Sequence, residues 1–121
     1  MIGMPFQKLL IWQKGMDLVK LVYVVTKSFP KEEIYGLTSQ SRRSAISIPS
    51  NIAEGSQRTS EKEFANFILM AKGSLAELHT QMLAAHDLGF ISQEQIKLVL
   101  EKIIELDRML YAFYKKLTNK T

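Results

Sequence analysis

Two long stretches of the sequence repeat their apolar residues at alternating steps of three and four, and this repeat constrains the fold more than any other feature. Its period of about 3.5 residues places the members on one stripe of an α-helix, with charged residues on the other faces. Because a lone helix has nothing to cover such a stripe, both helices have to pack against further helices. The stripes consist of Phe64, Phe67, Ala71, Leu75, Leu78, Met82 and Ala85, and of Ile96, Val99, Ile103, Leu106, Leu110, Phe113 and Leu117.

Both stretches begin with helix-start signals. Ser60 with Glu63, and Ser92 with Gln95, have the spacing of a capping box, in which side chains satisfy orphan backbone N–H groups. Gly89 suits the left-handed residue that follows the first of these two helices. Because a short connection joins helices of similar length, the sequence predicts an antiparallel hairpin.

The first segment of the chain, from about Leu9 to Ser28, is apolar on nearly every face. Its valines would also suit a strand, but no partner strand exists elsewhere and its large apolar residues keep helical spacing. A helix that is apolar all round has to be buried all round, whereas a four-helix core covers one face. We therefore predict an oligomer, with Leu18, Val22 and Val25 as candidate interface residues on the spare face.

The second segment, from about Leu37 to Glu54, carries a proline in its interior. Pro49 lacks the backbone donor of a helical residue, so we expect the helix to be kinked there, and we expect Gly55 to stop it. With the other three segments, this predicts an all-α fold. The expected architecture is an up-and-down four-helix bundle that spans residues 1–121 as a single domain.

Composition narrows the class of protein. Hydrophobic residues make up 46% and charged residues 23%, which is typical of a folded globular domain. The absence of cysteine excludes disulfides, thiolate metal ligands and cysteine nucleophiles, and it fits a reducing compartment. The sequence shows neither a signal peptide nor the roughly 20 apolar residues of a membrane span, so we expect a cytoplasmic protein with no membrane association.

No arrangement of residues indicates an enzyme, a cofactor or a metal site. Asn51, Glu54 and Arg58 resemble a catalytic triplet, but Glu54 and Arg58 are spaced for an i, i+4 ion pair. His79 and His86 lie seven residues apart, about 10 Å along a helix, which is too far for one shared metal. We therefore expect a protein that binds rather than catalyses.

Positive charge is the main functional signal. The net charge is +4, and residues 1–31 hold five lysines against one aspartate. In an up-and-down bundle the end of the first helix lies beside the start of the second, which gathers Lys27, Lys31, Arg42 and Arg43 at one end. Arginine pairs fork to phosphates, so these four are the candidate nucleic-acid-binding residues. The alternative is structural pairing with the two glutamates that follow Lys31.

A second, weaker basic rim is expected at the opposite end of the bundle. The competing interpretation is a solvated rim without a ligand, because cations suit the C-terminal end of a helix on their own account. The members of this second rim are Lys14, Arg58, Lys62, Lys115 and Lys116.

Several short segments of the sequence resemble those of one protein family. They are WQK at residues 12–14, FPKEE at 29–33, YGLTSQ at 35–40, RRSA at 42–45 and the proline-centred SIPSNIAEG at 47–55. Over about residues 6–117 the chain resembles the bacterial four-helix bundle proteins encoded within 23S rRNA intervening sequences. The resemblance implies a homopentamer. A related branch, the accessory protein of diversity-generating retroelements, is a basic pentamer that binds nucleic acid and a reverse transcriptase.

Two residues depart from the pattern of that family. Gly15 stands where the family usually has alanine, and it is expected to weaken the first helix by about 1 kcal/mol. Ser41 stands where the family usually has an aliphatic residue, which leaves the packing at the start of the second helix open.

These observations predict a non-enzymatic oligomer, a homopentamer by the resemblance, that binds RNA or DNA or a nucleic-acid enzyme. The alternative is an interaction scaffold whose partners are proteins only. Salt separates the two hypotheses, because phosphate binding weakens steeply as salt rises and an apolar protein contact does not.

Overall fold

Four long helices make up most of residues 5–119, the part of the chain that the structure, a computed structural model, describes. The helices are α1 (Leu10–Thr26), α2 (Leu37–Ser56), α3 (Glu61–Asp87) and α4 (Gln93–Thr118). Single 3₁₀ turns at Phe6–Lys8 and Lys31–Glu33 precede α1 and α2. This range contains no strand, so the predicted all-α fold is confirmed. None of its helices is long and apolar enough to cross a bilayer.

The helices are arranged in chain order around one core. α1 packs against α2 and α4, and α3 packs against the same two helices, whereas residues 5–119 contain no close backbone contact across either diagonal. Because short connections join consecutive helices, neighbouring helices run antiparallel. The predicted up-and-down four-helix bundle is thereby confirmed.

The two apolar stripes form the centre of the core. Every member of the α3 stripe except Phe67 is buried, and so is every member of the α4 stripe except Phe113. Phe113 still packs edge-on against Phe64, with ring centroids 5.3 Å apart. Each large apolar side chain buried in this way contributes about 1.5–3 kcal/mol, so the α3–α4 hairpin is a main source of stability.

The predicted signals at the helix ends act as expected. Ser92 and Gln95 form a complete capping box, since each side chain accepts the backbone N–H of the other residue. Ser60 accepts the N–H three residues further on, at 3.1 Å. Gly89 has a left-handed φ of 80°. The N–H groups of Gly89 and Phe90 donate to the carbonyls of His86 and Ala85, and this Schellman pair of hydrogen bonds ends α3.

The residues predicted for the oligomer interface lie in the core instead, and that prediction is wrong. Leu18, Val22 and Val25 are 1%, 0% and 1% exposed within the single chain, so they offer no surface to a second subunit. The reason is that α1 lies between α2 and α4, which together cover more of its circumference than one neighbour would. The large apolar residues that α1 leaves exposed are Leu10, Tyr23 and Val24.

α2 contains two residues that commonly break helices. Pro49 is buried, and the helix continues past it to Ser56. Gly55, the expected stop, lies inside the helix, where an added Cβ would be 2.5 Å from the Cβ of Phe67 on α3. Gly55 therefore permits the close approach of α2 and α3 rather than ending α2.

The two departures from the family pattern both lie at buried positions. Gly15 on α1 faces Pro49, and an added Cβ would lie 3.5 Å from its ring, which is ordinary van der Waals contact. Ser41 is 0% exposed, and its hydroxyl makes no hydrogen bond within residues 5–119. Ser41 thus faces the core, where an aliphatic side chain would pack without an unsatisfied hydroxyl.

We predict opposite effects for the same substitution at two of the helical glycines, Gly15 and Gly55. Gly15→Ala is expected to raise the free energy of unfolding by about 1 kcal/mol, because alanine favours the helix and its methyl group fits against Pro49. Gly55→Ala is expected to lower it by about 1–3 kcal/mol, because the methyl group overlaps Phe67. Urea denaturation followed by circular dichroism measures both, and a loss of stability in Gly15→Ala would contradict this description of the α1–α2 contact.

Candidate nucleic-acid interface

The connection between α1 and α2 is a hydrogen-bonded turn that brings the two helix ends together. The Glu33 N–H donates to the Pro30 carbonyl at 2.9 Å, and the Gly36 N–H donates to the Glu33 carbonyl at 2.9 Å. The Glu33 carboxylate accepts the N–H of Leu37 at 3.1 Å and so caps the start of α2. This carboxylate at the N-terminus of α2 also suits the helix dipole.

Arg42 is held against α1 by two contacts. Its Nε donates to Thr26 Oγ1 at 2.9 Å, and the Thr26 hydroxyl donates in turn to the Val22 carbonyl at 2.7 Å. The guanidinium carbon lies 4.6 Å from the centroid of the Tyr23 ring, within the range of a cation–π contact. The half-buried side chain is therefore fixed in position at the surface between the two helices.

The four predicted cations line two adjoining surface depressions. The first, of about 230 Å³, is lined by Lys27, Lys31 and Arg42 among others. The second, of about 390 Å³, is lined by Arg42 and Arg43. Both depressions share Arg42, Ile34 and Thr38, so they are parts of one surface. We call this surface, with its four cations, the α1–α2 patch.

The cations of the α1–α2 patch are not neutralised by neighbouring carboxylates. The ion pairs among residues 5–119 lie elsewhere, and none includes Lys27, Lys31, Arg42 or Arg43 within 4.0 Å. The predicted alternative, pairing with the glutamates after Lys31, is wrong for Glu33, because its carboxylate caps α2. The four cations of the patch are therefore in no ion pair among residues 5–119.

The second basic rim is less concentrated than the α1–α2 patch. Lys14 lies 3.5 Å from Glu105, and Arg58 lies 2.7 Å from Glu54, so two of its five cations are paired. The side chains of Lys115 and Lys116 point to different neighbours. Lys115 lies 5.6 Å from the Tyr111 ring, and Lys116 lines a groove between α1 and α4. Lys62 is exposed.

Most of the residues considered for catalysis and metal binding, namely Asn51, Glu54, Arg58 and His86, have structural partners. Arg58 and Glu54 form the predicted i, i+4 pair, and Asn51 Nδ2 donates to the Ser47 carbonyl at 2.8 Å. His86 hydrogen-bonds Gln93 at 2.9 Å. Within residues 5–119, no group of three or more histidine, aspartate or glutamate side chains could hold a metal ion.

The apolar part of the α1–α2 patch was not predicted from the sequence. Tyr23 is 39% exposed and lies under the Arg42 guanidinium. Ile34 and Ile46 line the depressions, and they are 57% and 41% exposed. Tyr35, the neighbour of Ile34, is 93% exposed. The available signal was two large apolar residues, Ile34 and Tyr35, placed in a connection rather than on a helical stripe.

Comparisons with known proteins agree with this fold. Residues 7–112 match the family described as 23S rRNA-intervening sequence protein. No curated protein matches the sequence. Among solved structures, a protein of unknown function from the S23 ribosomal protein family of Bacteroides thetaiotaomicron is similar, with a TM-score of 0.81 and 20% identity over 88% of this chain and 99% of that one. At this identity the likeness concerns the fold alone, whereas the family match covers most of the sequence. The chain therefore belongs to the 23S rRNA-intervening sequence protein family.

Proposed function

We propose that this protein is a non-enzymatic, cytoplasmic nucleic-acid-binding protein that takes RNA or DNA on the α1–α2 patch. The observation that carries the proposal is the convergence of Lys27, Lys31, Arg42 and Arg43 on two adjoining depressions. None of the four has a carboxylate within 4.0 Å in residues 5–119. A phosphate backbone would supply the missing negative charge.

Arg42 supports phosphate binding through the way it is held. Its Nε is already engaged by Thr26, and its plane rests against Tyr23. Both Nη groups lack an acceptor among the described residues, and they have the fork geometry that matches two phosphate oxygens. Because the side chain is immobilised before binding, it loses less conformational entropy when a phosphate arrives.

We further propose a homopentamer, as the family resemblance implies, with the outer face of α4 as the contact surface. α4 leaves Leu98, Ile104 and Tyr111 exposed at 44%, 45% and 53%. Met109 lines two surface depressions on this face, one shared with Leu10 of α1 and one shared with Ile104. These apolar side chains, which lie among Glu101, Glu105 and Arg108, replace the α1 residues that the sequence had suggested.

A ring would repeat the α1–α2 patch around its axis. Several weak phosphate contacts on one strand then act together, because the first contact raises the effective concentration for the next. An enzyme that acts on the bound nucleic acid is a further candidate partner of the ring. The net charge of +4 per chain adds attraction for polyanions at long range.

We predict that Ile104→Glu dissociates the oligomer while the subunit stays folded. The parent is expected at about 69 kDa, which is five times the 13.8 kDa of one chain, in multi-angle light scattering after size exclusion. A carboxylate at the contact would be desolvated without a partner, so the variant should elute at a smaller mass with unchanged helicity.

Leu83→Glu is the matched control for this experiment, because Leu83 has a similar exposure of 43% but lies on α3. It is expected to keep the mass of the parent. A parent mass of 13.8 kDa would contradict the oligomer, and equal masses for the parent and Ile104→Glu would contradict the α4 surface.

We predict that the double change Arg42→Ala and Arg43→Ala weakens binding of labelled RNA and flattens its salt dependence. Each phosphate contact adds about 0.7–0.9 to the slope of log affinity against log salt, so the slope should fall by about 1–2 for each engaged subunit. Fluorescence anisotropy over a salt series measures both quantities, with light scattering to show that the oligomer persists.

Arg58→Ala with Lys62→Ala is the charge-matched control, since it removes the same two charges from the second rim. It is expected to change affinity by less than the patch variant does. If both double variants lose affinity equally, net charge and not the α1–α2 patch governs binding. If the parent binds no polyanion at low salt, the proposal fails and a protein-only scaffold takes its place.

A further inference from the structure

Tyr35 is the most exposed of the large apolar and aromatic side chains in residues 5–119. Its exposed fraction is 93%, and its side chain makes no hydrogen bond or ring contact with that part of the chain. A single exposed apolar residue is ordinary on a protein surface. Here, however, Ile34 beside it is 57% exposed and lines both depressions of the α1–α2 patch. Packing of the subunit therefore gives no reason for an aromatic ring at this position.

The turn that carries Tyr35 is held in place by its neighbours. Backbone hydrogen bonds of 2.9 Å close the turn on both sides of Glu33, whose carboxylate also caps α2. Gly36 leaves room for this carboxylate, since an added Cβ would lie 2.9 Å from Glu33 Oε1. The ring is thus presented to solvent from a fixed backbone, so that a ligand would not have to order the loop first.

We infer that the nucleic acid bound by the α1–α2 patch is single-stranded, with an unpaired base stacked on the ring of Tyr35. This inference rests on the proposed function and names its ligand class. Lys31 lies in the same turn, and Lys27 and Arg42 line the depression that begins there, so cations for the flanking phosphates are at hand. The combination of an exposed aromatic ring with a basic groove is the arrangement that binds single strands without sequence preference.

The second depression of the α1–α2 patch adds apolar surface beside the first one. Tyr23, Ile34 and Ile46 line it together with Arg42 and Arg43, so the depression has both apolar and cationic side chains. A duplex presents phosphates and base edges while the faces of its bases stay stacked inside. It could therefore use the cations of the patch but not the ring of Tyr35. A single strand uses both, which gives it the higher affinity.

The test compares an unstructured oligouridine RNA with a fully paired RNA duplex of equal length, by fluorescence anisotropy on the intact oligomer. We expect the parent to prefer the single strand. Tyr35→Ala should weaken single-strand binding about five- to one-hundred-fold, the range of base–aromatic stacking. Duplex affinity and the salt slope should stay within error, because no charge is removed. Tyr35→Phe keeps the ring and should restore single-strand binding.

Leu83→Ala is the matched control, since Leu83 is an exposed large side chain on α3, outside both the α1–α2 patch and the α4 contact surface. It should leave the preference for the single strand unchanged. Equal single-strand affinity for the parent and Tyr35→Ala would overturn the inference, and so would an equal loss on both probes. In either case, if the Arg42 and Arg43 double variant still binds RNA more weakly than the parent, the proposed function stands. Failure of the parent to bind either RNA would remove both.

Discussion

Burial of the apolar stripes of α3 and α4 against α1 and α2 is the interaction on which the rest of the structure depends. The stripes supply six of the twelve largest fully buried side chains, and they hold α1 and α2 side by side, with α2 packed on α3 and α1 on α4. Once that arrangement is set, the chain has to reverse between Thr26 and Leu37 within one short turn. The α1–α2 patch is a consequence of this reversal, because the turn places Lys27 and Lys31 of the connection near Arg42 and Arg43 of α2 at one end of the bundle.

The patch combines fixed and exposed groups. Thr26 and Tyr23 of α1 position Arg42 of α2, and Glu33 caps α2 instead of neutralising a cation. The Thr26 hydroxyl and the Glu33 carboxylate are thus engaged in hydrogen bonds within the chain. Around them, exposed lysines and the unpacked ring of Tyr35 provide charge and an aromatic surface. A phosphate backbone with unpaired bases matches both kinds of group, which is why we favour a single strand over a purely apolar protein partner.

Features with local causes could be predicted from the sequence. The 3.5-residue repeat identified α3 and α4, the Ser92–Gln95 capping box is present, and the i, i+4 pair of Arg58 with Glu54 forms. Two features with tertiary causes could not be predicted. Leu18 is buried because α1 has neighbours on two sides, and Tyr23 is 39% exposed beside the Arg42 guanidinium. Periodicity locates apolar positions, but it does not state which helices will cover them.

The central claim is that nucleic acid lies on the α1–α2 patch, and photocrosslinking tests it without altering any residue. The intact protein would be irradiated with thiouridine-containing single-stranded RNA, and the crosslinked peptides would be identified by mass spectrometry. Our account predicts that crosslinks concentrate within residues 23–46, with Tyr35 among them. Crosslinks concentrated at residues 58–62 and 115–116 would contradict it, because they would place the RNA on the second basic rim at the other end of the bundle.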